Sequence, residues 1–276
     1  MHHENIHLSE YYPALSHDGC DPVLTTYLPD ITEEMKQTEQ KRPAILILPG
    51  GGYAYVSSRE GEPIALNFLT KGFRVFILEY STAPHSYPTA LQEVAAAIDL
   101  IHANQLQWAV DASRLAIMGF SAGGHLAGHY SNCYDCSEIR QLFPNSKPVN
   151  AAVLCYPVIS ARAESRHTKS FQNISGSKEI TEDIINRFSL NLLVSEKTPP
   201  TFLWHTREDQ LVPVNNSLLY AQALAQQGTP FALHIYPFGP HGLATADAMT
   251  RGNDPERIKA VHDWMDKAAM WLLETL

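Results

Sequence analysis

Six short apolar runs, alternating with longer stretches of helical periodicity, constrain this chain more than anything else in its sequence. The runs are Ala44–Leu48, Phe73–Leu78, Leu115–Met118, Ala151–Tyr156, Thr201–Trp204 and Phe231–Tyr236. Each has the length of a strand buried on both faces, which is how strands of a parallel sheet read. Between them, Glu62–Lys71, Ala90–His102 and Leu218–Ala225 place apolar residues three or four apart, and Ile258–Leu273 does the same after the last run. Strand and helix alternating along most of the chain imply right-handed crossovers and one doubly wound, mostly parallel α/β sheet.

Two weaker β-like runs, Ile6–Leu8 and Val23–Leu28, open the chain, and the charged stretch Asp30–Arg42 reads as an exposed loop. The rhythm breaks at residues 159–199, polar over Ser160–Ser177 and amphipathic over Ile180–Leu193. That excursion is longer than a plain crossover needs. It is therefore expected to form a small cap inserted into a single domain of residues 1–276; the plainer reading is a crossover helix with long loops.

Charge and hydropathy exclude several function classes. With 20 basic residues against 29 acidic, the formal charge is −9, which argues against the positive footprint that nucleic acid demands. No stretch approaches the ~18 consecutive apolar residues of a membrane span, and Met1–Asn5 is polar, without the apolar core of a secretory leader. Four cysteines in this setting point to a reducing cytoplasm and free thiols. The oligomeric state is left open, a homo-oligomer being allowed.

The chemistry concentrates in three places. Gly119-Phe120-Ser121-Ala122-Gly123 follows the run Leu115–Met118 directly and opens a helix rich in small residues. This is G-x-S-x-G in its required strand–turn–helix context, with the serine lifted above the carboxyl edge of the sheet. A Gly-rich nucleotide-binding turn is the alternative, but no phosphate-binding lysine follows. A serine nucleophile needs a base, and the base needs a carboxylate to orient it. In this topology the acid and then the histidine follow on later strand ends: Asp209 after Thr201–Trp204, and His241 after Phe231–Tyr236. Glu208 competes as the acid, and Asp209 is favoured by the run Asp209–Pro213. His125 falls one helical turn below the serine and reads as packing; His205 precedes the acid, on the wrong loop for a base. The third place is Pro49-Gly50-Gly51-Gly52-Tyr53, after Ala44–Leu48, where the N–H groups of Gly51, Gly52 and Ala122 are expected to form an oxyanion hole. Tyr53 and Tyr55 are candidates for lining the substrate pocket, with packing under the cap as the alternative. Arg59, Glu60 and Glu62 either line the pocket mouth or form a solvated helix start. Cys133 and Cys136, with His129 nearby, lack the fourth ligand of a closed zinc site and read as ordinary thiols.

These motifs, together with Arg59–Ala65, Tyr80–Pro84, Pro199–Phe202 and Pro240–Leu243, resemble the bacterial acetylesterases of the α/β-hydrolase superfamily, often described as sugar-ester hydrolases or acetyl xylan esterase-like. The resemblance runs from about Ala44 to the C-terminus. It implies the α/β-hydrolase fold and a serine carboxylesterase without metal or cofactor. It also implies small acyl esters, acetylated sugars among them, as substrates. Pro49 replaces the histidine that precedes the glycines in the hormone-sensitive-lipase pattern, which argues against long-chain lipase activity. Two rivals stand beside the esterase: an amide hydrolase of arylformamidase or peptidase type, and a non-catalytic small-molecule binding module. The presence of Ser121, Asp209 and His241 together weighs against the second.

Overall fold

The computed structural model describes residues 1–16, 19–32, 34, 41–250 and 258–276. Part of the expected loop Asp30–Arg42 lies outside those residues. Among the described residues, eight strands form one sheet: β1 (Asn5–His7), β2 (Val23–Tyr27), β3 (Arg42–Leu48), β4 (Arg74–Glu79), β5 (Val110–Phe120), β6 (Ala151–Cys155), β7 (Thr201–Thr206) and β8 (Phe231–Tyr236). Their order is β1-β2-β4-β3-β5-β6-β7-β8. β1 and β2 pair antiparallel, as do β2 and β4, and every later pairing is parallel.

The apolar runs form a double-sided core because successive strand residues point to opposite faces. Leu46, Leu48, Ile117, Leu154 and Leu203 face the helices Thr89–Ala103, Ala122–Cys133 and Asn215–Gln227. Ile45, Ile47, Met118, Val153 and Phe202 face the helices Glu62–Thr70 and Trp264–Thr275. β8 differs from the expectation of burial on both faces. It is the sheet edge, and Phe231 and Ile235 are exposed there. Ile258–Leu273 also departs from its reading as one helix: a 3₁₀ turn at Lys259–Val261 precedes the helix Trp264–Thr275. Residues 159–199 hold the helices Thr168–Ser175 and Glu182–Phe188, anchored by buried Phe171, Ile174, Phe188 and Leu190.

Topology decides where chemistry can occur. From β3 the chain passes to β4 on one side and then to β5 on the other, so the winding reverses between β3 and β5. Crevices form at the carboxyl ends of strands flanking such a reversal. The glycine loop leaves β3 and the Ser121 turn leaves β5 at that point. The register Leu48↔Gly119 sets the two side by side.

Two glycines make that juxtaposition sterically feasible. A Cβ on Gly123 would stand 2.1 Å from the Leu48 carbonyl oxygen, and one on Gly119 would stand 2.2 Å from the Gly123 oxygen. Both obstacles are backbone, so neither can swing aside. Gly123→Ala is therefore expected to cost at least about 2 kcal/mol of stability, on the scale of overpacked cores. A urea melt checks this, and a midpoint equal to wild type would contradict it.

Candidate active site

Ser121 sits at the tip of the turn between β5 and the helix Ala122–Cys133, with φ +53° and ψ −116°. A non-glycine residue there is strained and persists only where its surroundings hold it. Here its N–H donates to Cys155 O (3.0 Å), and its carbonyl accepts from His125 and Val158 (both 3.0 Å). The side chain is left pointing at His241: Ser121 Oγ lies 2.8 Å from His241 Nε2.

His241 comes from the loop after β8, and its Nδ1 lies 2.6 Å from Asp209 Oδ2. The three side chains that sequence order placed on separate loops are thus joined in one hydrogen-bonded chain. Glu208 is turned elsewhere and accepts the Gly239 N–H at 3.2 Å. Asp209 Oδ1 accepts the N–H groups of Leu211 and Val212, both at 2.9 Å. Burial by itself would raise the Asp209 carboxyl, but hydrogen bonds from His205, His241 and Val212 outweigh it and hold the group well below the usual carboxylate range. His205 is a surprise. It belongs to β7 rather than to the loop after it, and its Nε2 lies 3.1 Å from the same Asp209 Oδ2.

The glycine loop presents Gly51 and Gly52 with φ of +128° and +65°. A Cβ on Gly51 would fall 1.9 Å from the Tyr55 carbonyl oxygen, so glycine is obligatory at that position. Among the described residues, the N–H groups of Gly51, Gly52 and Ala122 donate to no protein acceptor. They remain free for a ligand.

Arg59 and Glu60 line the cavity, as one of the two sequence readings had it, and they also make contacts that neither reading anticipated. Glu60 is buried, and its carboxylate accepts the Gly50 N–H (2.8 Å) on one oxygen and the Tyr156 hydroxyl (2.7 Å) on the other. Tyr156 in turn accepts the Ala244 N–H (3.0 Å) and packs its ring edge-on against His241, 5.0 Å between centroids. Arg59 donates to the Gly242 carbonyl at 3.1 Å. One short turn therefore ties the glycine loop to the histidine loop. Only the carboxylate's position ten residues after Gly50 hints at this in the sequence, and a helix-start acid has the same signature.

Tyr53 must be corrected. It was expected to line the pocket, yet it is 2% exposed, and its hydroxyl lies 2.8 Å from His125 Nδ1. Its φ of +56° turns the ring inward, beneath the glycine loop. Tyr55, 61% exposed, does line the cavity. That cavity has about 570 Å³ and is bounded by Ser121, His241, Gly51 and Gly52 together with Arg59 and Leu211. His167 and Lys169, from the 159–199 excursion, complete one wall. A groove of about 850 Å³ lies on the far side of Ser57 and Arg59 and contains none of the three joined side chains.

His125 packs as expected. Besides Tyr53, it bonds Phe188 O through Nε2 at 2.8 Å, joining the glycine loop to the excursion. Burial pushes its imidazole down to about 4 and that of His129 down to about 3. Burial also raises the Cys133 thiol to about 12, the wrong direction for a thiolate ligand or nucleophile. Among the described residues, no group of three His, Cys, Asp or Glu side chains is arranged to hold a metal ion, and no helix is long and apolar enough to cross a membrane.

An eight-stranded, mostly parallel sheet carrying a serine on a strained strand–helix turn defines an α/β-hydrolase. The BD-FAE family model matches residues 30–224, and the chain belongs to that family. It is 34% identical over 231 residues to endo-1,4-beta-xylanase B of Butyrivibrio fibrisolvens, covering 80% of this chain and 35% of that one. Against the acetylxylan esterase of Xylanibacter ruminicola it is 32% identical over 205 residues, covering 72% and 41%. The chain thus spans 35% and 41% of the length of these two curated relatives. The crystal structure of an acetyl ester-xyloside bifunctional hydrolase from Caldicellulosiruptor lactoaceticus superimposes with a TM-score of 0.80 at 34% identity, covering 96% of each chain.

Two outcomes follow from the buried groups. His125 and His129 titrate lower when folded than the ordinary value of 6.5, so the unfolded chain binds more protons below it. Their contribution to stability is full above pH 6.5 and is lost as pH falls toward 4. Glu93, which burial raises to about 7, works in the opposite direction. The thermal midpoint should drop across that window, and His129→Phe should flatten the drop; a midpoint that rises toward pH 4 would contradict this. Glu60→Gln leaves one of two buried donors without its acceptor and should cost about 1–3 kcal/mol, read as a lower urea midpoint together with reduced turnover.

Proposed function

We propose that this chain is a serine carboxylic-ester hydrolase acting on short acyl esters, acetyl esters foremost. The observation that carries the reading is the unbroken chain from Ser121 Oγ to His241 Nε2 (2.8 Å) and from His241 Nδ1 to Asp209 Oδ2 (2.6 Å), beside unclaimed backbone donors. Ser121 attacks the ester carbonyl while His241 takes its proton, and Asp209 holds the imidazole in the right tautomer and stabilises its charged form. The N–H groups of Gly51, Gly52 and Ala122 receive the developing oxyanion. His241 then returns the proton to the departing alcohol. Water, deprotonated by the same histidine, releases the acid from the acyl-enzyme. Side chains and backbone fill every role in this scheme, so no metal or cofactor enters it.

Residues 159–199 serve as a small cap within a single domain of residues 1–276. This is supported by the wall they give the cavity through His167 and Lys169. The names of the two curated relatives and of the superimposed crystal structure favour acetylated or xylose-based sugars as the alcohol portion. Polar Arg59, His167, Lys169 and Gln210 around the cavity suit hydroxyl groups better than a second acyl chain. On the acyl side, residues 159–199 make too short a cap, polar over its first half, to enclose a long apolar tunnel.

Each acyl methylene that reaches apolar surface gains about 0.8 kcal/mol, and exclusion should cut that gain short. On nitrophenyl esters of rising length, kcat/KM should peak between acetyl and butyryl and fall steeply by octanoyl. Hydrolysis best at decanoyl, or of amides alone, would contradict the reading. Ser121→Ala should lose turnover on the order of 10⁶-fold while its melting point stays near wild type. Turnover near wild type would remove Ser121 from the role. Activity should also rise with pH to a plateau, as general-base catalysis requires, and His241→Ala should abolish it.

A further inference from the structure

The structure assigns His205 as a positioning residue, a second imidazole that shares the Oδ2 oxygen of Asp209 with His241 and so governs how firmly that carboxylate holds the charged form of His241. The inference rests on the esterase reading above.

His205 occupies the penultimate position of β7, where it pairs with Ile235 of β8, and its side chain is wholly buried. One ring nitrogen, Nε2, lies 3.1 Å from Asp209 Oδ2 and 2.9 Å from Val212 O. Both partners are pure acceptors, the first a carboxylate held ionised, so Nε2 carries a proton and donates to both. The other nitrogen, Nδ1, lies 2.8 Å from Ser217 Oγ on the helix Asn215–Gln227, a hydroxyl able to donate to it. The two acceptors at Nε2 thereby fix a neutral ring in the Nε2–H tautomer, which the Ser217 hydroxyl accommodates.

The consequence lies in how the carboxylate divides its charge. Asp209 Oδ1 is taken by two backbone N–H groups, and Oδ2 is divided between two imidazoles, at 2.6 Å to His241 and 3.1 Å to His205. Every donor to a carboxylate draws on the charge it can offer to the others. Without His205, Oδ2 would belong to His241 alone. The His241 imidazolium would then be held more tightly and surrender its proton at higher pH. Among the described residues, Asp209 would also lose its one side-chain hydrogen-bond partner besides His241. Among the described residues, this assembly also faces His167 from the 159–199 excursion, whose positive charge would repel that of His241, and the Tyr156 ring. Arg59, Glu60 and Lys169 line the same cavity, and the first two also connect to the assembly through Gly242 and Tyr156.

The test compares His205→Leu, which removes the donor, with His205→Gln, whose amide can restore an N–H near the Nε2 position. Profiles of kcat/KM against pH are measured on the best nitrophenyl ester. In His205→Leu the acid limb should move up by roughly half to one pH unit, the scale of losing one of several donors to a carboxylate. Its plateau kcat should fall while KM stays near wild type, and His205→Gln should bring the midpoint most of the way back. A residue that only fills space would lower stability without moving the midpoint. An unmoved or lowered midpoint in cooperatively folded His205→Leu therefore overturns the proposal. Nitrogen-15 NMR of histidine-labelled wild type decides independently of whether the variants fold. The Nε2–H tautomer of His205 supports the assignment, and an Nδ1–H tautomer overturns it. A wild type that hydrolyses no ester would defeat the esterase reading instead, and the tautomer would still report on the His205–Asp209 bond.

Discussion

The rest of the site depends on the backbone at Ser121. A residue held at φ +53° stores strain that a single contact would not contain, so the fold surrounds it with backbone. The Gly123 backbone lies so close to Leu48 and Pro49 that even a methyl group would collide with them. This closeness draws the glycine loop over the serine. The turn that exposes the hydroxyl thus also sets where free N–H groups can stand. Placement of Ser121 and of the Gly51–Gly52 donors is one steric problem with one solution.

Histidine placement is a second problem, solved with buried polar groups. The His241 loop leaves a strand that, among the described residues, has no sheet neighbour on its outer side. It is held instead by Arg59 on Gly242, by Tyr156 on Ala244, and by Asp209 on the ring itself. Glu60 connects these to the glycine loop through Gly50. A buried carboxylate is tolerable only when its oxygens are satisfied, and both are. The arrangement ties the His241 loop to the glycine loop through hydrogen bonds.

Much of this was legible in the sequence, and the exceptions share a cause. The strands could be read because burial on both faces leaves an unbroken apolar run. Ser121, Asp209 and His241 could be placed because each follows such a run, and parallel strands bring their carboxyl ends to one edge. What the pattern could not carry was side-chain direction where the backbone leaves ordinary φ and ψ. Tyr53 follows the donor glycines directly, but its positive φ points it at His125 instead of the cavity. Glu60 looks like a helix-start acid, because nothing in local spacing reveals that the chain folds back over Gly50. His205 was dismissed because it precedes the acid. Strand periodicity says only that its ring points inward, and its reach to Asp209 depends on how the Thr206–Val212 segment curls back. Edge exposure of β8 was hidden for a similar reason, since an apolar run does not reveal which strand comes last.

The central claim is that Ser121 is a nucleophile made reactive by this geometry, and covalent capture tests it most directly. The wild-type protein would be incubated with an aryl phosphonate ester, digested, and mapped by mass spectrometry. The account predicts one phosphonyl group per chain, located on Ser121, with ester hydrolysis lost in step with its appearance. A protein that hydrolyses esters while Ser121 remains unmodified, or that carries the label on another residue, would contradict it.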